Sequence, residues 1–173
     1  HLPGRHPMSV TDDIFRRALS CLAAGVSIVS TQRDGDRRGV TATAVCSVSA
    51  SPPTILACVN TATGTCQMIR ETGLFAVNLL AQHHQPVAEV FAGRSGLQGD
   101  DRFEHGDWTA GDVHGLPILQ TALAAIECRV DHQVQAGTHV VFFGVIQGVY
   151  FADHPPLLFH GGRFHALPVA AAA

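Results

Sequence analysis

GVTATAVCSVSASPPTILACVN, Gly39–Asn60, is the stretch on which the fold turns. Its first half alternates strictly. Thr41, Thr43, Ser47, Ser49 and Ser51 fall on odd positions, and Val40, Ala42, Ala44, Cys46, Val48 and Ala50 on even ones, with Val45 the single odd-face exception. A period of two predicts an extended strand with a hydroxyl-bearing face and a packed face. Nearly every side chain is small, so a large flat molecule can approach the backbone. Pro52-Pro53 lacks the N–H groups a ladder needs and ends the strand, and Thr54 to Val59 starts a second, more apolar one.

At 173 residues, with 46% apolar and 14% charged side chains, the chain predicts one compact domain with a sizeable core. A net charge of −3 argues against nucleic acid as a partner. All eleven basic residues are arginine, which excludes a Walker-type GxxxxGK loop, a Schiff-base lysine and a lysine general base. Cys21, Cys46, Cys58, Cys66 and Cys128 are odd in number and form no CxxC pair, so they read as reduced, buried thiols of a cytoplasmic protein. No run is long enough for a transmembrane helix, and no secretory apolar segment precedes Met8, so no membrane association is expected. Residues 1–8 read as a tag or disordered tail, 9–168 as a single domain, and 169–173 as a frayed C-terminus.

Around the central stretch, Thr11 to Ala24 predicts a helix capped by Thr11 and stopped by Gly25, with Ile14, Phe15, Ala18, Leu19 and Leu22 on one apolar face. Gly25 to Gln32 predicts a strand that turns through Asp34-Gly35. A short helix is expected from Cys66 to Glu71, a strand from Leu74 to Leu80, and a helix from Gln82 to Ala92. Gly93 to Gly115 reads as a long ordered loop, followed by strands at Leu123–Val134, His139–Phe151 and Pro156–Phe159. Irregularly spaced strands with hairpin-length turns favour an antiparallel barrel over a parallel sheet, and no GxGxxG follows a strand.

Without lysine, anion ligands must come from hydroxyls, N–H groups and arginine. Thr63 and Thr65 precede a helix start, where they either bind an anion or merely cap the helix. Ser47, Ser49 and Ser51 share a strand face that is either a ligand surface or ordinary solvent-facing strand. The eleven histidines form no HExxH and no zinc-finger spacing, so no metal site is expected; His83-His84 and His154, His160 and His165 read as surface or interface residues.

In order and spacing these pieces resemble the short-chain flavin reductase family. The resemblance is carried by Phe15-Arg16 to Gly25, Gly39 to Ser49 with Pro52-Pro53, Asn60 through Thr65 to Ile69, and Phe75-Ala76-Val77-Asn78. Gly99-Asp100-Asp101-Arg102-Phe103, Gly137-Thr138-His139 with Gly144, and Pro156-Leu157-Leu158-Phe159 with Gly162 continue it. The family more often has an acidic residue where Thr138 stands.

The resemblance implies a mainly β fold, an antiparallel split β-barrel of the FMN-binding type with a few short flanking helices. It implies hydride transfer from NADH or NADPH to FMN or FAD, a homodimer, and delivery of reduced flavin to a partner flavin-dependent monooxygenase. On that reading Thr43, Ala44, Val45, Cys46 and Ser47 lie along the flavin ring, with Cys46 contributing only its backbone, and Asn60, Thr63 and Thr65 hold the phosphate end. His139 either positions the nicotinamide or is a strand-start histidine bonded to a neighbouring carbonyl. Arg102 and Phe103 either contact the dinucleotide or serve as a loop ion pair and a core anchor; Arg94 and Arg163 are further phosphate candidates. Two other readings use the same barrel: an oxidase acting on a pyridoxine phosphate, and a non-catalytic flavin- or haem-binding module.

Overall fold

A computed structural model describes residues 9–167. In chain order the elements are α1 (Asp12–Ser20), β1 (Ala24–Gly25), β2 (Ser27–Arg33), β3 (Asp36–Ala42), β4 (Val45–Ala50), β5 (Pro53–Asn60), α2 (Gly64–Thr72) and β6 (Leu74–Leu79). A 3-10 turn (Gln82–His84) leads into α3 (Gln85–Phe91), and a second one (Gly99–Glu104) precedes β7 (Trp108–Ala110) and β8 (Pro117–Leu119). Two long strands, β9 (Ala124–Ala136) and β10 (His139–Phe151), and the short β11 (Leu157–His160) and β12 (Arg163–Ala166) complete the described chain. The fold is mainly β. Its principal sheet has seven strands in the order β3-β2-β6-β9-β10-β5-β4, every neighbouring pair antiparallel.

The central alternating stretch is not one strand. It breaks at Thr43–Ala44, and its halves, β3 and β4, are the two opposite edges of the seven-stranded sheet. The Val45 N–H donates to the Thr43 carbonyl at 3.1 Å, a tight reversal of the γ-turn kind. The Cys58 N–H donates to the Ala44 carbonyl at 3.0 Å and ties the bend to β5. The break inverts the parity of the pattern. Val40 and Ala42 pack toward the core before it, and Val45, the odd-face exception, packs there after it. Cys46 and Val48, expected on the packed face, are exposed instead.

Two apolar clusters hold the sheet. One gathers Val29, Val59, Ile69, Phe75, Val77 and Phe142 beneath α2. Phe75 reaches its centre because β10 carries Gly144 there: a Cβ at that position would stand 2.5 Å from the Phe75 ring. The other cluster packs Ile28, Leu80, Phe91, Phe103 and Leu119 under α3 and the small sheet β1-β11-β12. Buried polar groups are paired. Asn78 donates to the Ile28 carbonyl and Ser30 Oγ and accepts from the Leu119 N–H. Glu127, fully buried, accepts from the N–H groups of Val113, His114 and Leu116 and from the Tyr150 hydroxyl.

Several expectations need correction. The first helix stops at Ser20 instead of Ala24, and Gly25 lies in β1. Thr11 does cap it, accepting from the Ile14 N–H at 3.3 Å. Its apolar face exists, but no residue of α1 is buried, and Phe15, Leu19 and Leu22 stand 49–65% exposed. The expected long loop, Gly93–Gly115, contains the 3-10 turn Gly99–Glu104 and the short β7, which pairs with β8 just beyond it. Of the five cysteines only Cys66 and Cys128 are buried, while Cys21 and Cys46 are exposed. Residues 1–8 and 169–173, read as tail and frayed end, lie outside the described residues.

Candidate active site

The chain leaving β5 makes a tight polar turn before α2. The Asn60 carbonyl accepts from the Thr63 N–H and hydroxyl, and Asn60 Oδ1 accepts from the Ala62 N–H at 2.9 Å. Thr63 Oγ1 then accepts from the Cys66 N–H at 3.2 Å, the helix N-cap bond. The Thr63 hydroxyl is therefore fully engaged inside the protein, and the capping alternative describes it. The N–H groups of Gly64 and Thr65 find no acceptor among the described residues. Thr65 itself is 3% exposed, and its hydroxyl has no partner among them. No buried side-chain polar atom lacks a partner among the described residues, so this hydroxyl reaches solvent and is open to a ligand.

That hydroxyl borders a cleft of about 500 Å³, whose walls include Arg38, Gly39, Thr63, Gly64, Gln98, Gly99 and Arg102. Two guanidinium groups reach it. Arg102 donates Nε to the Leu97 carbonyl and Nη1 to those of Gly39 and Phe91. It has no carboxylate partner among the described residues, and burial pushes its pKa down from the usual arginine range. Arg38 pairs with Asp36 and donates to the Arg37 carbonyl at 2.8 Å. The cleft thus offers cations, free N–H groups and a helix N-terminus, the donor set of an anion site.

A second hollow of about 220 Å³ is lined by the next residues along β3. It is bordered by Val40 to Ala44, Cys58 to Asn60 and His139. Small side chains leave the β3–β4 bend bare, and the β5–β10 register sets His139 directly opposite Asn60. His139 Nδ1 lies 2.9 Å from Thr138 Oγ1, and Nε2 has no partner among the described residues. Cys58 borders this hollow with its thiol pKa raised, first by burial and then by the neighbouring Cys46.

The structure therefore brings Thr43, Ala44, Asn60 and His139 to one hollow and Thr63, Thr65 and Arg102 to the other. Val45, Cys46 and Ser47 lie just beyond, on edge strand β4, whose outward N–H groups have no neighbouring strand. For Phe103 the core-anchor alternative describes its surroundings. Only 4% exposed, it packs edge-on against Phe91 and Trp108 beneath Arg37, so its ring faces are not available to a dinucleotide. Arg102 forms no loop ion pair among the described residues; it clamps three carbonyls instead. Arg94 lies over the Phe164 ring, and Arg163 is exposed on β12. His84, read as a surface or interface residue, is buried within the chain and accepts the Ala81 N–H on Nδ1 at 3.1 Å. Arg38 was missed. Its signal was a charged residue on the even face of an otherwise small-residue strand.

Residues 19–168 match the model of the flavin reductase like domain. The chain belongs to this family. Within it, the flavin reductase-family chain is 39% identical over 161 residues to the FMN reductase (NADH) RutF of Pseudomonas syringae pv. syringae (strain B728a), covering 92% of this chain and 89% of the relative. It superposes with a TM-score of 0.85 and 32% identity on BorF, the flavin reductase component of a bacterial two-component tryptophan halogenase, over 92% of this chain and 99% of that one. The Streptomyces globisporus NADH:FAD oxidoreductase SgcE6, in complex with NAD and FAD fragments, gives a TM-score of 0.85 at 29% identity, covering 95% and 100%.

Proposed function

We propose that this flavin reductase-family protein is an NADH:flavin oxidoreductase that reduces FMN or FAD for a separate flavin-dependent monooxygenase component. The observation that carries the reading is the pair of hollows lined by successive residues of β3. One is cationic and holds the unpaired Thr65 hydroxyl; the other is floored by small residues and bordered by His139. An elongated ligand with an anionic end and a flat ring matches that pair. The flavin, when bound, supplies the hydride-accepting ring. The protein's part is position and polarity. Thr65, the Gly64 and Thr65 N–H groups and Arg102 hold the phosphate end. Thr43 and Ala44 keep side chains away from the ring, and the free edge of β4 from Val45 to Ser47 faces its polar edge, with the Val45 N–H already engaged by the Thr43 carbonyl. His139, steadied by Thr138, offers Nε2 to the nicotinamide carboxamide.

The fold reading extends the same way. The sheet's two edges are joined by one bend, which the Cys58 N–H holds to β5, and this supports a split barrel built from a single domain over residues 9–168. The uncovered apolar face of α1 supports a homodimer in which a second copy covers it. Five free cysteines support a reducing, cytoplasmic setting. RutF of P. syringae carries NADH in its name, which favours NADH over NADPH here. The test mixes purified protein with NADH or NADPH and FMN, FAD or riboflavin and follows loss of nicotinamide absorbance. Flavin-stimulated oxidation, faster with NADH, is expected; no stimulation with any pair refutes the reading. Light scattering on the same preparation reports the oligomer.

A further inference from the structure

Arg38 occupies a particular place in the cationic cleft. Its side chain runs between two glycines from different segments. A Cβ on Gly64, at the start of α2, would touch its Cδ and Nε at 3.4 Å, and one on Gly99 would touch its Nη1 at 3.4 Å. The guanidinium therefore sits beside Gly64 and Gly99 and shares the cleft with Thr65. Its own partners are modest. Asp36 holds Nη1 from an exposed position, 47% accessible against 29% for Arg38, and the Arg37 carbonyl takes a second bond. An ion pair this open contributes little and exchanges readily.

We propose that Arg38 is a phosphate clamp that gives up Asp36 for the terminal phosphate monoester of FMN, and so sets the preference of this site for a phosphorylated flavin. The proposal rests on the reductase reading above. A monoester carries close to two negative charges near neutral pH and three acceptor oxygens. The cleft presents a matching set: the Arg38 fork, Arg102, two helix N–H groups and the Thr65 hydroxyl. The diester phosphates of FAD carry one charge each, and riboflavin carries none, so the order FMN, then FAD, then riboflavin follows. Asp36 acts as an internal competitor for the clamp. It shields the cation when no phosphate is present and weakens phosphate binding in proportion.

Dissociation constants for FMN and riboflavin, read from quenching of flavin fluorescence without NADH, test this directly. Arg38→Gln removes a charge-assisted donor, so it should weaken FMN about tenfold to a hundredfold and leave riboflavin unchanged. Asp36→Asn should tighten FMN about two- to fivefold without affecting riboflavin. Sulfate should compete with FMN in the parent protein and lose that competition in Arg38→Gln. Equal losses for FMN and riboflavin in Arg38→Gln, or weaker FMN binding in Asp36→Asn, overturn the clamp. Those outcomes differ from failure of the reductase reading, which is an absence of flavin-stimulated NADH oxidation in the parent protein.

Discussion

Acidification from pH 7 to pH 5 should destabilise this protein through one side chain. His84 is 4% exposed. Its Nδ1 accepts the Ala81 N–H and its Nε2 lies 2.8 Å from Thr121 Oγ1, so a proton on Nδ1 would set two N–H groups against each other. Burial, then the neighbouring His83 and His154, lower its pKa from 6.5 to about 4, with Asp107 opposing. The unfolded chain therefore takes up a proton near pH 6.5 that the folded protein refuses until about pH 4. Stability falls as pH drops through that window and levels off below it. The full loss is about 3 kcal/mol, and between pH 7 and pH 5 about 2 kcal/mol. Urea unfolding at the two pH values reads it as a shift in midpoint at constant slope. His84→Gln removes the titrating group, so its difference between pH 7 and pH 5 should be smaller by that amount. An unchanged difference in the variant would refute the reasoning, because the other histidines would then carry the whole effect.

Two further outcomes test other parts of the fold. Glu127→Ala leaves the N–H groups of Val113, His114 and Leu116 and the Tyr150 hydroxyl without their acceptor, and should cost at least about 3 kcal/mol in thermal or urea unfolding. Ala44→Phe fills the hollow at the bend from an exposed position, so flavin binding by fluorescence quenching should be lost while the melting temperature holds; undiminished binding would show that the ring lies elsewhere.

The elements with strong periodicity were readable from the residues. Strand β10 begins at His139 and ends at Phe151 as its apolar pattern predicts, and Thr11 caps α1. The bend at Thr43–Ala44 was not readable, because an alternating run of small residues continues through it and only Val45 breaks the rule. Whether a hydroxyl is free or engaged is a tertiary matter: Thr63 and Thr65 look alike in sequence, yet one caps α2 and the other is unpaired among the described residues. The choice for Phe103 between ligand contact and core anchor, and the burial of His84, were unreadable for a related reason. Their partners, Phe91, Trp108 and Thr121, come from other segments of the chain.

The Thr43–Ala44 bend also bears on how the molecule assembles. Residues 42 and 45 are close in sequence, yet they belong to the two edge strands of the seven-stranded sheet. Neither edge has a fixed position until β2, β6, β9, β10 and β5 have aligned between them. The floor of the hollow beside His139 should therefore be among the last surfaces to form, a contact local in sequence whose geometry waits on long-range pairing. Flavin added during refolding should thus recognise only chains whose whole sheet is complete, and its quenching would follow the slowest folding phase.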